Sequence, residues 1–362
     1  MKLLVTVAAL GVVSAPALSA QATYAQGTLD KQSVVVVQDT RTGANEGINN
    51  PLYLPPATDN NYTGVVNLWF RNAAGQVRSA CTGSLLSSRK ILTAGHCVST
   101  GTNAVTWSSF TARFRNADGS FTEVNGTGFA VQQNYSGAVV EEQDVAVLTL
   151  SADAPVTART YSLFQGNPLV DYTIAGYGLT GTGLTGDNNS ANNQFGATNV
   201  LRAAANRFET TARDNNTFAT AANPNAAAYG GILASDFDRV GGSANSFFCV
   251  NLGFCDTGRT GLLEAGVGRG DSGGAAFTNT WQVLGVASWG TSFNGQTLSQ
   301  FDSYFGYACV ANYAPNAACV ANYNFVQAQL GTNVVPEPST YALMATGLIG
   351  LVGVARRRRN TV

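Results

Sequence analysis

Cys81-Thr-Gly-Ser-Leu-Leu-Ser-Ser-Arg-Lys-Ile-Leu-Thr-Ala-Gly-His96-Cys97 is the stretch on which the reading of this chain turns. Its middle, Ser84 to Thr93, is a β-type run, and it leads to His96, the one histidine of the chain. An imidazole has an unperturbed pKa suited to taking a proton and returning it near neutral pH. Working outward, short β-type runs recur at Gly64 to Phe70, Ser109 to Phe114, Gly128 to Gln132, Val145 to Leu150, Tyr172 to Gly176 and Trp281 to Ser288. Turn signals such as Asn116-Ala117-Asp118-Gly119 and Asn294-Gly295 separate them. Strands at this spacing, without long helical periodicity between them, argue for an all-β barrel or sandwich. Helices are expected only near His96 and from about Val320 to Leu330. Leu179 to about Asp238 is rich in Gly, Asn and Asp and reads as a long loop insertion. Its acidic and amide side chains could bind calcium, but the ordered ligand spacing of a calcium loop is missing.

Three segments resemble the chymotrypsin/trypsin-type serine proteases. The opening stretch is similar to that family's Cys-Gly-Gly-Ser-Leu-Ile and Thr-Ala-Ala-His-Cys in residues and length. Asp144-Val-Ala-Val-Leu-Thr-Leu is similar to its Asp-Ile-Ala-Leu-Leu strand, and Gly270-Asp271-Ser272-Gly273-Gly274 followed by Ser288-Trp289-Gly290 to its Gly-Asp-Ser-Gly-Gly and Ser-Trp-Gly. Order and separation also agree, from roughly Tyr62 to Leu330. The resemblance implies two six-stranded Greek-key β-barrels with a C-terminal helix, the insertion falling in the second half. It implies a triad of Ser272 as nucleophile, His96 as general base and acid, and Asp144 orienting His96. Asp118 and Asp171 are rivals of Asp144, which is preferred because Val145, Val147 and Leu148 would bury its surroundings. The backbone N–H groups of Gly270 and Ser272 are the expected oxyanion hole. Gly266, Ser288, Trp289 and Gly290 match substrate-binding positions. An uncharged Gly266 at the pocket floor disfavours cleavage after Arg or Lys and leaves an apolar or aromatic residue as the best fit, unless Glu264 or Asp256 is shifted into the pocket.

The match departs in two places. Activated members of the family bury the carboxylate corresponding to Asp271 against an α-amino group freed before Ile-Val-Gly-Gly, and no such sequence occurs here. Arg269, Arg71 and Arg78 are the candidate cations. The family's cysteine four residues before the nucleophile is Gly268.

Both ends speak of export. Lys2, an apolar run from Leu3 to Val13 and small residues from Ala15 to Ala22 have the layout of a signal peptide, cut after Ala22 or after Ser19. Pro336-Glu337-Pro338, an apolar run from Tyr341 to Ala355 and Arg356 to Arg359 closely resemble the PEP-CTERM sorting signal of Gram-negative bacteria. That resemblance implies an exosortase-type processing enzyme as a partner, and contact with the membrane only through residues 335–359 before processing; a plain tail anchor is the alternative. The basic cluster would stay cytoplasmic, placing the body on the exported side: periplasmic, cell-surface or secreted. The expected organisation is then a signal peptide (1–22), an N-terminal segment of unassigned role (23–61), a protease domain (62–330, with the insertion at about 179–238) and the sorting signal.

Only 11% of residues are charged and the formal net charge is −1, which offers nothing to nucleic acid. The six cysteines suit an oxidising compartment and three disulfides. Six cysteines allow 15 pairings; proximity favours Cys249 with Cys255 and Cys309 with Cys319, leaving Cys81 for Cys97. One histidine and no Cys-x-x-Cys argue against a metal site, and no cofactor is expected. A polypeptide is the expected substrate. The competing class is a non-catalytic binding protein on a protease fold, or a surface component in which the protease unit is secondary.

Overall fold

The computed structural model describes residues 37–38, 53–101, 104–183, 186–187, 199–238, 247–255, 264–291, 300 and 303–331. The expected signal peptide, the sorting tail with its apolar run, and Asp256 lie outside these residues. Among the described residues no helix is long and apolar enough to cross a membrane.

After a two-residue strand β1 (Val37–Gln38), the first half closes into a six-stranded barrel. Its strands are β2 (Val65–Arg71), β3 (Val77–Ser87), β4 (Lys90–Thr93), β5 (Ser109–Arg115), β6 (Phe121–Val131) and β7 (Ala146–Leu150), in the cyclic order β2-β3-β4-β7-β6-β5. The alternation in the sequence explains the closure. Val66, Leu68 and Phe70 of β2 face Phe114, Ala112 and Phe110 of β5 in register, and all six are buried. Inward residues two apart on each strand thus fill the barrel while their neighbours point outward. The expected turn at Asn116 forms, with Gly119 at φ +83 and its N–H donating to Asn116 O at 2.9 Å.

The second half is a nine-stranded sheet built from β8 (Ser162–Leu163), β9 (Asp171–Gly176), β11 (Arg202–Arg207), β12 (Thr210–Asp214), β13 (Thr217–Phe218), β14 (Ile232–Asp236), β15 (Ala275–Phe277), β16 (Gln282–Gly290) and β17 (Tyr304–Cys309). Its order is β11-β9-β15-β16-β17-β14-β12-β13, with β8 beside β16. Strand β10 (Gly181–Thr182) stands apart and pairs in parallel with β1. Two helices complete the element order, α1 (Phe247–Leu252) and α2 (Ala317–Leu330). The all-β reading with a C-terminal helix therefore holds, as one closed six-stranded barrel and a second sheet.

The reading of 179–238 as a loop insertion needs correction. Residues 202–236 supply β11 to β14, and β14 lies inside the sheet between β17 and β12. These strands hide from a composition-based reading because their buried positions are filled by Ala203, Ala205, Ala212 and Ala234, whose small side chains give little apolar contrast. Asn206, an apparent loop residue, is buried and donates from Nδ2 to Asp236 O at 2.8 Å and to Ala265 O at 3.1 Å. Helix α2 begins three residues earlier than expected, where the Asn316 side chain accepts the Cys319 N–H at 3.0 Å as an N-cap, and it ends on Gly331 at φ +70. All three disulfides pair as expected: Cys81–Cys97, Cys249–Cys255 and Cys309–Cys319.

Candidate active site

His96 sits in a single 3-10 turn, Gly95–Cys97, directly after β4, and the Cys81–Cys97 disulfide fastens that turn to β3. Asp144 is fully buried just before β7, the strand that pairs with β4. Pairing of β4 with β7 therefore brings the two residues together across 48 positions of sequence. The carboxylate receives the His96 backbone N–H on Oδ1 at 2.7 Å and approaches His96 Nδ1 with Oδ2 at 2.7 Å. Two contacts from one residue hold the imidazole plane and place the Nδ1 proton on the Asp144 side, so Nε2 is the basic nitrogen. A Cβ on Gly95 would lie 3.0 Å from Asp144 Oδ1, which explains a glycine beside the histidine. The rival carboxylates are elsewhere: Asp118 accepts the N–H and hydroxyl of Ser120 in its turn, and Asp171 pairs with Arg207 at 3.2 Å.

Ser272 comes from the second half, on a loop that enters β15. Its carbonyl accepts the Thr82 N–H at 2.8 Å, so the loop is hydrogen-bonded directly to β3 of the first barrel. The fully buried Thr82 hydroxyl also donates to Gly270 O at 3.1 Å and accepts the Tyr177 N–H at 3.2 Å. Thr82 is thus a three-way tie among the barrel, the Ser272 loop and the segment after β9. Sequence reasoning passed over it, and the only signal was a threonine where the family motif has glycine. Gly270 lies at φ +103 and Gly273 at φ +83, conformations that L side chains rarely adopt. A Cβ on Gly273 would also fall 2.0 Å from Thr93 Oγ1.

The trypsin family model matches residues 56–233, which include His96 and Asp144. This part of the chain is a trypsin-family serine protease domain. The matched segment ends before Ser272, which is linked to it by the hydrogen bonds through Thr82. Residues 334–359 match the PEP-CTERM protein-sorting motif, a mark of sorting to the cell envelope. No curated protein matches the chain. Among solved structures, a Glu endopeptidase in complex with MPD is 18% identical and aligns over 78% of this chain and 95% of its own, with a TM-score of 0.43. HL collagenase is 16% identical and aligns over 77% and 97%, with a TM-score of 0.47.

Two of the residues expected to bind substrate have buried side chains. Ser288 is buried, and its hydroxyl reaches Asp144 Oδ2 and Val139 O. The cause is a register shift between Ala287 and Trp289 against β17, which re-aims the residue between them. Ser288 therefore supports Asp144. Trp289 is fully buried, edge-on to Tyr304 at 5.8 Å between ring centroids, and packs against Gly306, where a Cβ would meet the indole at 2.1 Å. Its side chain is part of the core. Gly266 abuts the Phe305 ring, which a Cβ would meet at 2.2 Å, and Gly290 pairs with Phe305 across the strands. Glu264 is buried and its Oε1 accepts the Asp238 N–H at 2.8 Å.

Asp271 is buried, and its Oδ1 accepts the Gly178 N–H at 2.7 Å. None of the three candidate cations is directed at it by these bonds. Arg269 grips Asp187 through Nε at 3.0 Å and Nη2 at 3.1 Å, Arg71 donates to Thr111 Oγ1 and Gly75 O, and Arg78 donates to Gln76 Oε1. Among the described residues no group of three or more His, Cys, Asp or Glu side chains is arranged to hold a metal ion.

Proposed function

We propose that this protein is an exported endopeptidase that hydrolyses peptide bonds through an acyl-enzyme on Ser272. The observation that supports the reading is the double attachment of His96 to Asp144, which orients Nε2 as the base. In this mechanism Nε2 takes the Ser272 Oγ proton as Oγ bonds to the substrate carbonyl carbon. The imidazolium, stabilised by Asp144, then gives that proton to the leaving amine as the C–N bond breaks. Water repeats the sequence in reverse roles and frees the acid product. The N–H groups of Gly270 and Ser272 hold the oxyanion, for which the left-handed backbone at Gly270 is suited.

The substrate residue before the scissile bond is apolar or aromatic. Gly266 carries no charge to meet a cation, and the Phe305 ring lines its flank. Maturation removes residues 1–22, and an exosortase-type enzyme cuts the PEP-CTERM tail, leaving the product in the periplasm, on the surface or in the medium of a Gram-negative cell.

The test is one preparation of exported protein, characterised by intact mass for both cuts, labelled with a fluorophosphonate and profiled on a mixed peptide library. Wild type should label on Ser272 and cut after apolar residues. Ser272→Ala should lose labelling and at least about 10⁴-fold in kcat/KM. Undiminished activity in pure Ser272→Ala would end the assignment, and a majority of cuts after Arg or Lys would end the pocket reading.

A further inference from the structure

The carboxylate of Asp271 lies against strand β9 in a slot that only glycine leaves open. A Cβ on Gly176 would stand 1.9 Å from Asp271 Oδ1 and 2.5 Å from its Cγ, so the carboxylate occupies the place of the missing side chain. Directly opposite Gly176 in the antiparallel ladder is Arg202 of β11. Residues directly opposite one another send their side chains to the same face, with Cβ positions about 4.5–5.5 Å apart. Arg202 and Asp271 therefore share one face, well within the reach of a guanidinium. Both are buried, Arg202 at 6% exposure and Asp271 at 3%. Two such charges withdrawn from water each need an opposite charge beside them.

We infer that Arg202 is the built-in counter-charge of Asp271, a positioning residue that holds the Gly270–Ser272 loop assembled in the uncut chain. The inference rests on reading Ser272 as the nucleophile. Burial pulls the Arg202 pKa down and the nearby Asp271 charge opposes that shift. Tyr307 of β17 also faces Asp271; burial, then neighbouring Tyr172, and last the Asp271 charge hold its phenol well above the usual range, so it stays neutral.

The segment upstream of the barrel points the same way. Tyr53 is 1% exposed and belongs to the core cluster containing Leu179, Phe208 and Val267. Two residues on, Pro55 O accepts Arg115 Nη1 at 2.9 Å. Residues 53–55 are thus docked on the folded domain ahead of β2. A freed α-amino group, with a pKa near 7.7–8.0, would lose its charge in mild alkali. An arginine keeps its charge, so an assembly that depends on Arg202 has no such alkaline loss.

Two measurements test this. In a Ser272→Ala background, where catalysis plays no part, Arg202→Met and Asp271→Asn should each lower Tm by roughly 5–15 °C, and the double variant should fall no further than the worse single one. Additive losses would refute the pairing. With Ser272 intact, full-chain wild type should label while retaining residues upstream of Tyr53, with kcat/KM level from about pH 8 to 10. Arg202→Met should lose about 100-fold, one oxyanion donor's worth. Arg202→Lys should recover most activity at pH 7 and lose it above about pH 9, as a buried lysine discharges. Wild-type activity in Arg202→Met, or labelling only of species that begin after Tyr53, would overturn the inference. If wild type fails to label at all, the Ser272 reading fails, and the Tm cycle still decides the pairing.

Discussion

The first barrel and the second sheet fill their interiors differently. In the barrel, paired large side chains such as Val66 with Phe114 and Phe70 with Phe110 meet across neighbouring strands. In the sheet, β11 and β12 bury alanines, and the volume comes from a few rings stacked over them: Tyr172 with Phe208 at 4.0 Å, Tyr172 with Tyr307 at 5.5 Å, Phe247 with Tyr304 at 4.6 Å. The sheet also takes charge inside, with Arg202, Asp236, Glu264 and Asp271 all buried. The barrel supplies a rigid frame for His96 and Asp144, while the sheet supplies the irregular backbone and polar interior on which Ser272 is presented. Regular packing and a bent, polar Ser272 loop are thus divided between the two halves.

The sharpest way to break this contrast is to put the same methyl group into each half. Gly273→Ala meets a positive φ, Thr93 Oγ1 at 2.0 Å and Thr82 O at 2.4 Å, and should cost about 3–5 kcal/mol with loss of activity. Gly75→Ala, in a barrel hairpin at φ +75 with nothing within 4 Å, should cost only about 1–2 kcal/mol. Urea denaturation and peptidase assay of both would measure the gap. Equal effects would mean that the nucleophile loop is no more constrained than a surface turn.

The disulfides give the next comparison. Cys81–Cys97 closes a separation of 16 residues and Cys249–Cys255 one of 6. Chain entropy assigns them about 3 and about 2 kcal/mol. Replacing each pair by serine should destabilise in that order, and only loss of the first should also reduce kcat, since it holds the His96 turn. A reversed order in denaturant midpoints would place the weaker frame in the barrel.

The smallest expected effect concerns pH. Burial, and then the charge of Asp236 with Asp238 and Glu264 beyond it, raise the Glu209 pKa well above the usual carboxylate range. The folded chain therefore holds a proton that the unfolded chain releases near pH 4.3. Stability falls as pH rises from there through the raised value. Glu209→Gln should match wild type below about pH 4 and exceed it by a few degrees in Tm at pH 8. A constant difference across that range would show that Glu209 does not titrate between the two states.

What could be read in advance follows the same division. Barrel strands announced themselves through alternation, and the His96 turn, Asp144 and the cysteine pairs through local motifs. Strands β11 to β14 did not, because alanine carries little contrast and a buried Asn206 looks like a loop. The contact of the Ser288 side chain with Asp144 did not announce itself either, because a bulge is invisible to period-two counting. Thr82 was missed because it acts across the fold, and Arg202 because its neighbour Asp271 is distant in sequence; no spacing rule joins positions 82 and 270 or 202 and 271.

The C-terminal helix adds a matter of timing. Asn322 of α2 donates to Glu142 O at 2.7 Å, two residues before Asp144, and to Cys309 O at 2.9 Å, while its Oδ1 meets Gln132 Nε2. The segment that leads to Asp144 in the first barrel is therefore braced by a side chain of the C-terminal helix. A chain that ends at β17 lacks that brace, so the segment before Asp144 is fully fixed only once α2 has packed.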